Sequence, residues 1–311
     1  MKKKIICPGI LFLLLFINGC RNNSLINNNE LISDAGIINS GKDTLTAVPA
    51  GNGDFYFAAD ITGLQTFPDL YSKVNSITTT ADWFSKDTAY NNLGIIGLTI
   101  LKEGGKEISF SDIDNPFQRL DLWTGEIESR FDIEGVPVQV KTVCHPDYDM
   151  VSFKITSGLI EKFRLRIKIS FPPVASLQTG SVLKSAGAFI TTVIPDTNNL
   201  TVFKRNNGML KYEVVVWGNN AKLKALSENS YYILPVQADT VYSFTCQFLN
   251  KEEDGRVQTF GETEAASRKY WYKFWNDAIK SGLINGREVH DKHLIKQVIL
   301  SKYLNKLKYK F

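Results

Sequence analysis

Cysteine, histidine and methionine are scarce in this 311-residue sequence, with four Cys, three His and three Met. Cys7 and Cys20 lie near the N-terminus, so Cys144 and Cys246 alone remain for a folded body. No Cys pair has zinc-ligand spacing, and no metal or cofactor site is expected. An oxidising compartment permits a disulfide between Cys144 and Cys246. Each also sits in an alternating apolar run, where a free cysteine packs as a small core residue, so both outcomes stay open. There is no Gly-x-Ser-x-Gly elbow and no phosphate loop, which removes esterase and nucleotide-binding readings. No internal repeat is visible. The net charge is only +4, with basic residues at both ends and dispersed between, which argues against nucleic acid as a partner.

What is present begins with a targeting pattern. Lys2, Lys3 and Lys4 precede an apolar run from Ile5 to Ile17, and Asn18-Gly19-Cys20 closes it. A small residue before cysteine reads as a bacterial lipoprotein cleavage site, giving a signal peptide over 1–19 and acylation of Cys20. The apolar run is too short to span a hydrocarbon core of about 30 Å as a helix. Two or three acyl chains, each CH₂ contributing ~0.8 kcal/mol, would hold the protein on a lipid bilayer. The expected location is therefore the cell envelope of a bacterium, on the periplasmic or surface face. Residues 20–46 are rich in Asn and Ser and read as a flexible tether.

From Phe55 to Asn250 the apolar period is close to two, the period of a strand with one buried face. Phe163, Leu165, Ile167, Ile169 and Phe171 alternate with Arg164, Arg166, Lys168 and Ser170. Ile127–Ile133 and Val136–Thr142 flank Glu134-Gly135, a hairpin with glycine where positive φ is expected. Other strands are expected at 55–59, 95–101, 150–156, 189–193, 210–217 and 241–249. Many strands with no intervening helical period predict a mainly β chain, an antiparallel β-supersandwich over 47–260. After Gly261 the period changes. Ala266, Tyr270, Trp271, Phe274, Trp275 and Ala278 recur at helical spacing, Gly282 and Gly286 interrupt, and a second helix carries Leu294, Ile295, Val298, Ile299, Leu304 and Leu307. The expectation for 261–311 is two C-terminal helices.

Residues able to carry chemistry are few. Asp60 ends a strand before Thr62-Gly63, where its carboxylate either faces a cleft or caps a turn. Asp82, Asp112, Asp114 and Asp121 are further acids, and nothing in the linear sequence pairs any two across a glycosidic bond. Trp83 and Trp123, near turns, offer flat faces to a sugar ring, whereas Trp217 after Val214-Val215-Val216 reads as core. His290 and His293 are three apart at a helix start, without a third ligand.

Several blocks together resemble the N-terminal β-domain of six-hairpin glycosidases, near glycoside hydrolase families 65 and 95. They are Gly51-Asn52-Gly53 through Phe67, Leu93–Leu98, Leu120–Phe131 with Asp121-Leu122-Trp123-Thr124-Gly125, and Val138–Asp149 with Cys144-His145-Pro146. Trp271–Trp275 and Val298–Leu304 complete the set. The resemblance implies a sandwich, a linker helix and the first helix of an (α/α)₆ barrel that would hold the catalytic glutamate. No catalytic residue of that barrel has a counterpart in these 311 residues, so none is assigned. What it does imply is a supporting edge for a glycan site, with Asn52, Asp60, Gln65, Trp83 and Trp123 as substrate-facing residues. The segment 76–92 is shorter than the corresponding loop of such enzymes, and Asn276-Asp277-Ala278-Ile279 replaces a Ser-Gly-Gly-like linker.

The expected function is thus the non-catalytic N-terminal portion of a truncated or split glycoside hydrolase-like lipoprotein, supporting or shaping a glycan site supplied by a missing helical barrel, for which a separately encoded barrel is a candidate partner. The alternative is a standalone carbohydrate-binding envelope lipoprotein. Hydrolysis by Asp60 with a second sandwich carboxylate is the third reading. An oligosaccharide is the expected ligand in each.

Overall fold

The computed structural model describes residues 27–42, 46–71, 77–85, 92–171, 189–195, 199–208, 210–236, 239–250, 256, 258–284 and 291–308. Cys20, His290 and, of the shortened segment 76–92, residues 76 and 86–91 lie outside them.

Three antiparallel sheets form two layers. The large sheet has nine strands: β1 (Ile38–Ser40), β6 (Asp114–Asp121), β7 (Glu126–Ile133), β8 (Val136–Cys144), β9 (Met150–Thr156), β16 (Val241–Asn250), β13 (Lys211–Gly218), β12 (Leu200–Asn206) and β11 (Ile190–Pro195), in that spatial order. Facing it are a three-stranded sheet of β2 (Val48–Gly51), β3 (Phe55–Ala59) and β4 (Thr79–Ala81), and a four-stranded sheet ordered β14 (Ala221–Ser227), β15 (Ser230–Pro235), β10 (Leu165–Ser170) and β5 (Ile95–Ile100). Aromatic pairs join the layers. Phe55 stacks on Phe248 and Phe57 meets Phe153 edge-on, both at 5.5 Å between ring centres, while Phe203 lies 4.9 Å from Tyr231. The period-two pattern explains this arrangement. In β7, Ile127, Ser129, Phe131 and Ile133 point inward and Glu126, Glu128 and Arg130 outward. The mainly β antiparallel sandwich with two C-terminal helices is the observed architecture.

The β7–β8 hairpin turns on Glu134 (φ +49°) and Gly135 (φ +75°), the double positive φ of a two-residue type I′ turn. Glutamate tolerates that conformation here because its carboxylate is tied to the Arg164 guanidinium and accepts the Glu103 N–H at 3.0 Å.

Four short helices interrupt the strands: α1 (Asn28–Ser33), α2 (Pro68–Tyr71), α3 (Asp82–Ser85) and α4 (Gly158–Glu161). Two long ones follow, α5 (Phe260–Lys280) and α6 (Lys292–Lys308). Helix α5 starts at a capping box in which the Thr259 hydroxyl accepts the Glu262 N–H and the Glu262 carboxylate accepts the Thr259 N–H. It buries Phe260, Thr263, Ser267, Trp271, Trp275 and Ala278, a stripe at three- and four-residue spacing, against β8, β9 and β16. That surface is the outer face of the large sheet. Helix α6 buries Ile299, Tyr303 and Leu307 against β2, β3 and α1, while Leu294 (58 % exposed) and Val298 (42 % exposed) face solvent. The two helices meet where Tyr303 lies 4.6 Å from Trp271.

Two expectations are corrected. The span 20–46 is not a loose tether where it is described: α1 buries Leu31 and Ile32, β1 pairs with β6, and the buried Asn39 side chain donates to Gln118 at 3.0 Å. Two apolar residues suffice there because α6 and β6 supply the rest of the pocket. Phe163 is not the first inward residue of its strand. It caps the end of α4 in the left-handed conformation (φ +55°), 58 % exposed, and β10 begins two residues later.

Candidate functional site

Asn52 and Trp83 converge on one turn. The β8–β9 connection, residues 145–149, is pinned by the Asn52 amide, which donates to the carbonyls of His145 (3.2 Å) and Tyr148 (3.0 Å). The same side chain's oxygen accepts the N–H groups of Asp54 and Phe55 at 2.9 and 2.7 Å. Every polar atom of Asn52 is thereby committed, and it is buried. Trp83 reaches the turn from α3, its indole N–H donating to Asp149 Oδ2 at 2.6 Å. It keeps a partly exposed ring packed on Phe84 and Tyr212. His145 is buried beside Tyr148, 4.5 Å between rings, and burial holds its imidazole below the ordinary value, favouring the neutral form.

Trp123 stands on the neighbouring β6–β7 turn at the same end of the large sheet. It meets Tyr272 of α5 edge-on at 5.7 Å and remains partly exposed. Trp83, in α3 against the β8–β9 turn, and Trp123, on the β6–β7 turn, are thus two partly exposed rings at this end of the large sheet, with Asp54, Asp82, Asp147 and Asp149 on the neighbouring segments.

Asp60 and Gln65 are elsewhere. The loop 60–67 folds inward onto the polar strip of the large sheet made by Gln118, Ser129 and Thr142. Asp60 is completely buried, and its carboxylate accepts Thr62 N–H (2.8 Å), Thr62 hydroxyl (2.5 Å) and Phe67 N–H (2.7 Å). Burial pushes its carboxyl from 3.8 up to about 6, against the lowering effect of those hydrogen bonds. Gln65 donates to the Ala58 carbonyl and accepts the Ile96 N–H, both at 3.1 Å. Both side chains organise backbone that no strand partner satisfies, which is the turn-capping role for Asp60.

A second polar constellation, absent from the sequence reading, lies on the sheet's outer face beneath α5. Lys141 of β8 bonds Glu126 of β7 at 2.7 Å and approaches Glu264 of α5 at 3.9 Å. Burial pushes the Glu126 carboxyl up, Lys141 pulls it down, and Glu264 raises it again. The Lys141 ammonium, although desolvated, is held above its ordinary value by the two carboxylates. Oε2 of Glu126 is buried without a donor among the described residues. Two carboxylates about one ammonium, one of them largely buried, join helix to sheet.

Beside this cluster is a cleft of about 490 Å³ whose lining includes Lys141, Lys154, Trp217, Asn219, Ser243 and Glu264. Trp217 is therefore not core. Along β13 the residues 212, 214, 216 and 218 face inward, and Trp217 pairs with Thr245 on the outer face, partly exposed. The run Val214-Val215-Val216 hides that alternation, because Val215 is covered on the outer side as well. Strand period alone would have exposed Lys141, Lys154 and Trp217, but not the α5 residues that close the cleft.

Among the described residues no group of three His, Cys, Asp or Glu side chains is placed to hold a metal ion, and no helix is long and apolar enough to cross a membrane. Cys144 and Cys246 are free thiols.

No family model and no curated protein matches the sequence. Solved structures similar to the chain include a protein described as a kojibiose phosphorylase from the human microbiome, at 11 % identity and TM-score 0.48, covering 77 % of this chain and 38 % of that one. A bacterial glucoamylase complexed with acarbose gives 7 % identity and TM-score 0.45, covering 78 % and 40 %. A family GH92 inverting mannosidase from Bacteroides thetaiotaomicron gives 10 % identity and TM-score 0.36, covering 85 % and 33 %. The chain spans at most 40 % of the length of these neighbours. All three carry names of enzymes that act on carbohydrates. With every TM-score below 0.5, residue roles rest on this chain's own geometry.

Proposed function

We propose that the chain is a non-catalytic, carbohydrate-contacting sandwich, the N-terminal portion of a glycoside hydrolase-like lipoprotein. In this reading Trp83 and Trp123 form the rim that lies against a glycan site completed by a helical barrel. Asn52 sets the rim's geometry by holding the 145–149 turn, and Asp60 and Gln65 act from within the core. The carrying observation is the contrast between burial and exposure. The acid best placed by sequence to be catalytic is sealed with its carboxylate hydrogen-bonded, whereas Trp83 and Trp123 remain partly exposed. A flat apolar face stacked on a sugar ring is the usual aromatic contribution to glycan binding, and polar groups around it supply orientation. The exposed Leu294 and Val298 on α6 give the barrel an apolar surface to pack against. Acylated Cys20 would anchor the protein to the envelope bilayer, as the sequence from Lys2 to Cys20 indicates.

Binding of the full chain to a glycan array, with Trp83→Ala and Trp123→Ala beside the wild type, tests this. Retention on a defined set of oligosaccharides, lost in both variants, supports the reading. Binding unchanged in both variants removes the rim, and cleavage of bound glycans removes the non-catalytic role. The standalone binder is favoured over the barrel-dependent portion if affinity is measurable without a partner.

A further inference from the structure

The outer cleft beside α5 is separate from the tryptophan rim and is not part of the site proposed above, although its ligand class follows from the same carbohydrate reading. We infer that this cleft, between β8, β9, β16 and β13 on one side and the first turn of α5 on the other, is a second binding site for a neutral short saccharide, with Trp217 as its stacking face. Four observations carry it. The volume, about 490 Å³, falls in the range of small-molecule sites, roughly 300–1,000 Å³. Trp217 lies in the outer-face row of β13 and is partly exposed, and its indole N–H has no partner among the described residues. Lys154, paired across the ladder with Lys141, makes no ion pair or hydrogen bond among the described residues, and the side chains of Asn219 and Ser243 are likewise uncommitted there. Finally, the lining charges balance: two lysines, Lys141 and Lys154, against Asp239 and Glu264.

That balance selects the ligand. A phosphate or sulfate needs an uncompensated cationic site, and a purely apolar ligand would desolvate the uncommitted donors and acceptors without replacing their bonds to water. A saccharide carries hydroxyls that both donate and accept, together with a C–H face for the indole, and so matches all parts of the lining. Lys141 is already held by Glu126, so Lys154, the Trp217 N–H and the side chains of Asn219 and Ser243 are the donors left for ring and hydroxyl oxygens.

The test is a titration of the ¹⁵N-labelled full chain with maltose, cellobiose and mannobiose, following the five indole N–H resonances, each assigned by its own Trp→Phe variant. The expected result is a saturable shift of the Trp217 resonance with at least one disaccharide. Read from the backbone amide signals of Lys154 and Ser243 in the same spectra, Trp217→Ala should weaken that binding at least tenfold and Lys154→Ala several-fold, with Trp83→Ala and Trp123→Ala leaving it unchanged. Trp217→Phe, which keeps a ring in place, should retain part of the affinity and so separates loss of stacking from loss of fold. A Trp217 resonance unmoved by all three sugars overturns the inference, as does tighter binding of inorganic phosphate than of any disaccharide. If Trp83 or Trp123 shifts while Trp217 stays silent, the outer site fails and the rim stands. If Trp217 alone responds, the rim fails and the outer site stands.

Discussion

Trp275 donates its indole N–H to the carbonyl oxygen of Leu122 at 2.6 Å, across 153 residues of sequence. The ring is completely buried, so this bond fastens α5 to the β6–β7 turn that carries Trp123. Ser267 adds a second tie, its hydroxyl donating to the Thr124 carbonyl at 2.9 Å. The aromatic-rich helix is therefore part of the sandwich's own packing, and the rim inherits its position from it.

Trp275→Phe keeps most of the ring and removes the donor. Leaving the buried Leu122 carbonyl unpaired costs about 1–3 kcal/mol. Chemical denaturation should show a loss of that size, and hydrogen exchange should show faster opening of α5 than of β8 and β9.

Gly125 and Gly135 form a matched pair. Both have positive φ, +71° and +75°, so alanine at either meets left-handed strain of roughly 1–2 kcal/mol. Around Gly135 nothing lies within 4 Å of the added carbon, whereas at Gly125 it would overlap the Trp271 indole. Gly125→Ala should destabilise by clearly more than Gly135→Ala, the difference being the cost of displacing α5. Equal losses in denaturant unfolding would show that the helix does not press on this turn.

These contacts also mark what could be read from the chain. Strands β3, β5, β7, β8, β9, β10, β11, β13 and β16 followed from period two, because most have one wet face, and the two C-terminal helices from the shift to period 3.6 at Gly261; β1, β2, β4, β6, β12, β14 and β15 were not among the expected strands. The Asp60 turn was legible as one of two alternatives, since an aspartate two residues before a hydroxyl at a strand end caps its own backbone. Phe163 was misplaced because alternation continues through a capping residue without any local sign. The α1–β1 segment was missed because Leu31 and Ile32 find their partners in β6 and α6, far along the chain. Trp217 was assigned to the core for the opposite reason: three valines mask which face is open until α5 is laid beside them.

Asp60 gives a signed pH dependence. Its folded pKa is raised, so the native state binds the proton more tightly than the unfolded chain, and its contribution to stability is complete below about pH 4. It is lost as pH rises through about 6. A rise of about two pH units at roughly 1.4 kcal/mol each gives about 3 kcal/mol. Glu126, also raised by burial, acts in the same direction. Unfolding free energies measured from pH 4 to 7 should fall by less in Asp60→Asn than in the wild type. An equal slope would show that Asp60 does not carry it.

Burial also pushes both remaining thiols far above their ordinary value, Cys246 by desolvation alone and Cys144 with a smaller push from Asp149. Thiolate is the reactive form, so neither should react with a thiol-specific reagent in the folded protein, and both should react in denaturant. Protection that survives full denaturation and yields to reductant would instead reveal a disulfide.

The most direct test of a carbohydrate-contacting, non-catalytic sandwich is carbohydrate-observed NMR. Unlabelled oligosaccharides would be mixed with the full chain and followed for a day by saturation transfer and by their anomeric signals. The expected result is saturation transfer to at least one sugar, diminished in Trp83→Ala and Trp123→Ala, with anomeric signals constant throughout. New reducing-end signals, whether or not they persist in Asp60→Asn, or no transfer to any sugar, would contradict it.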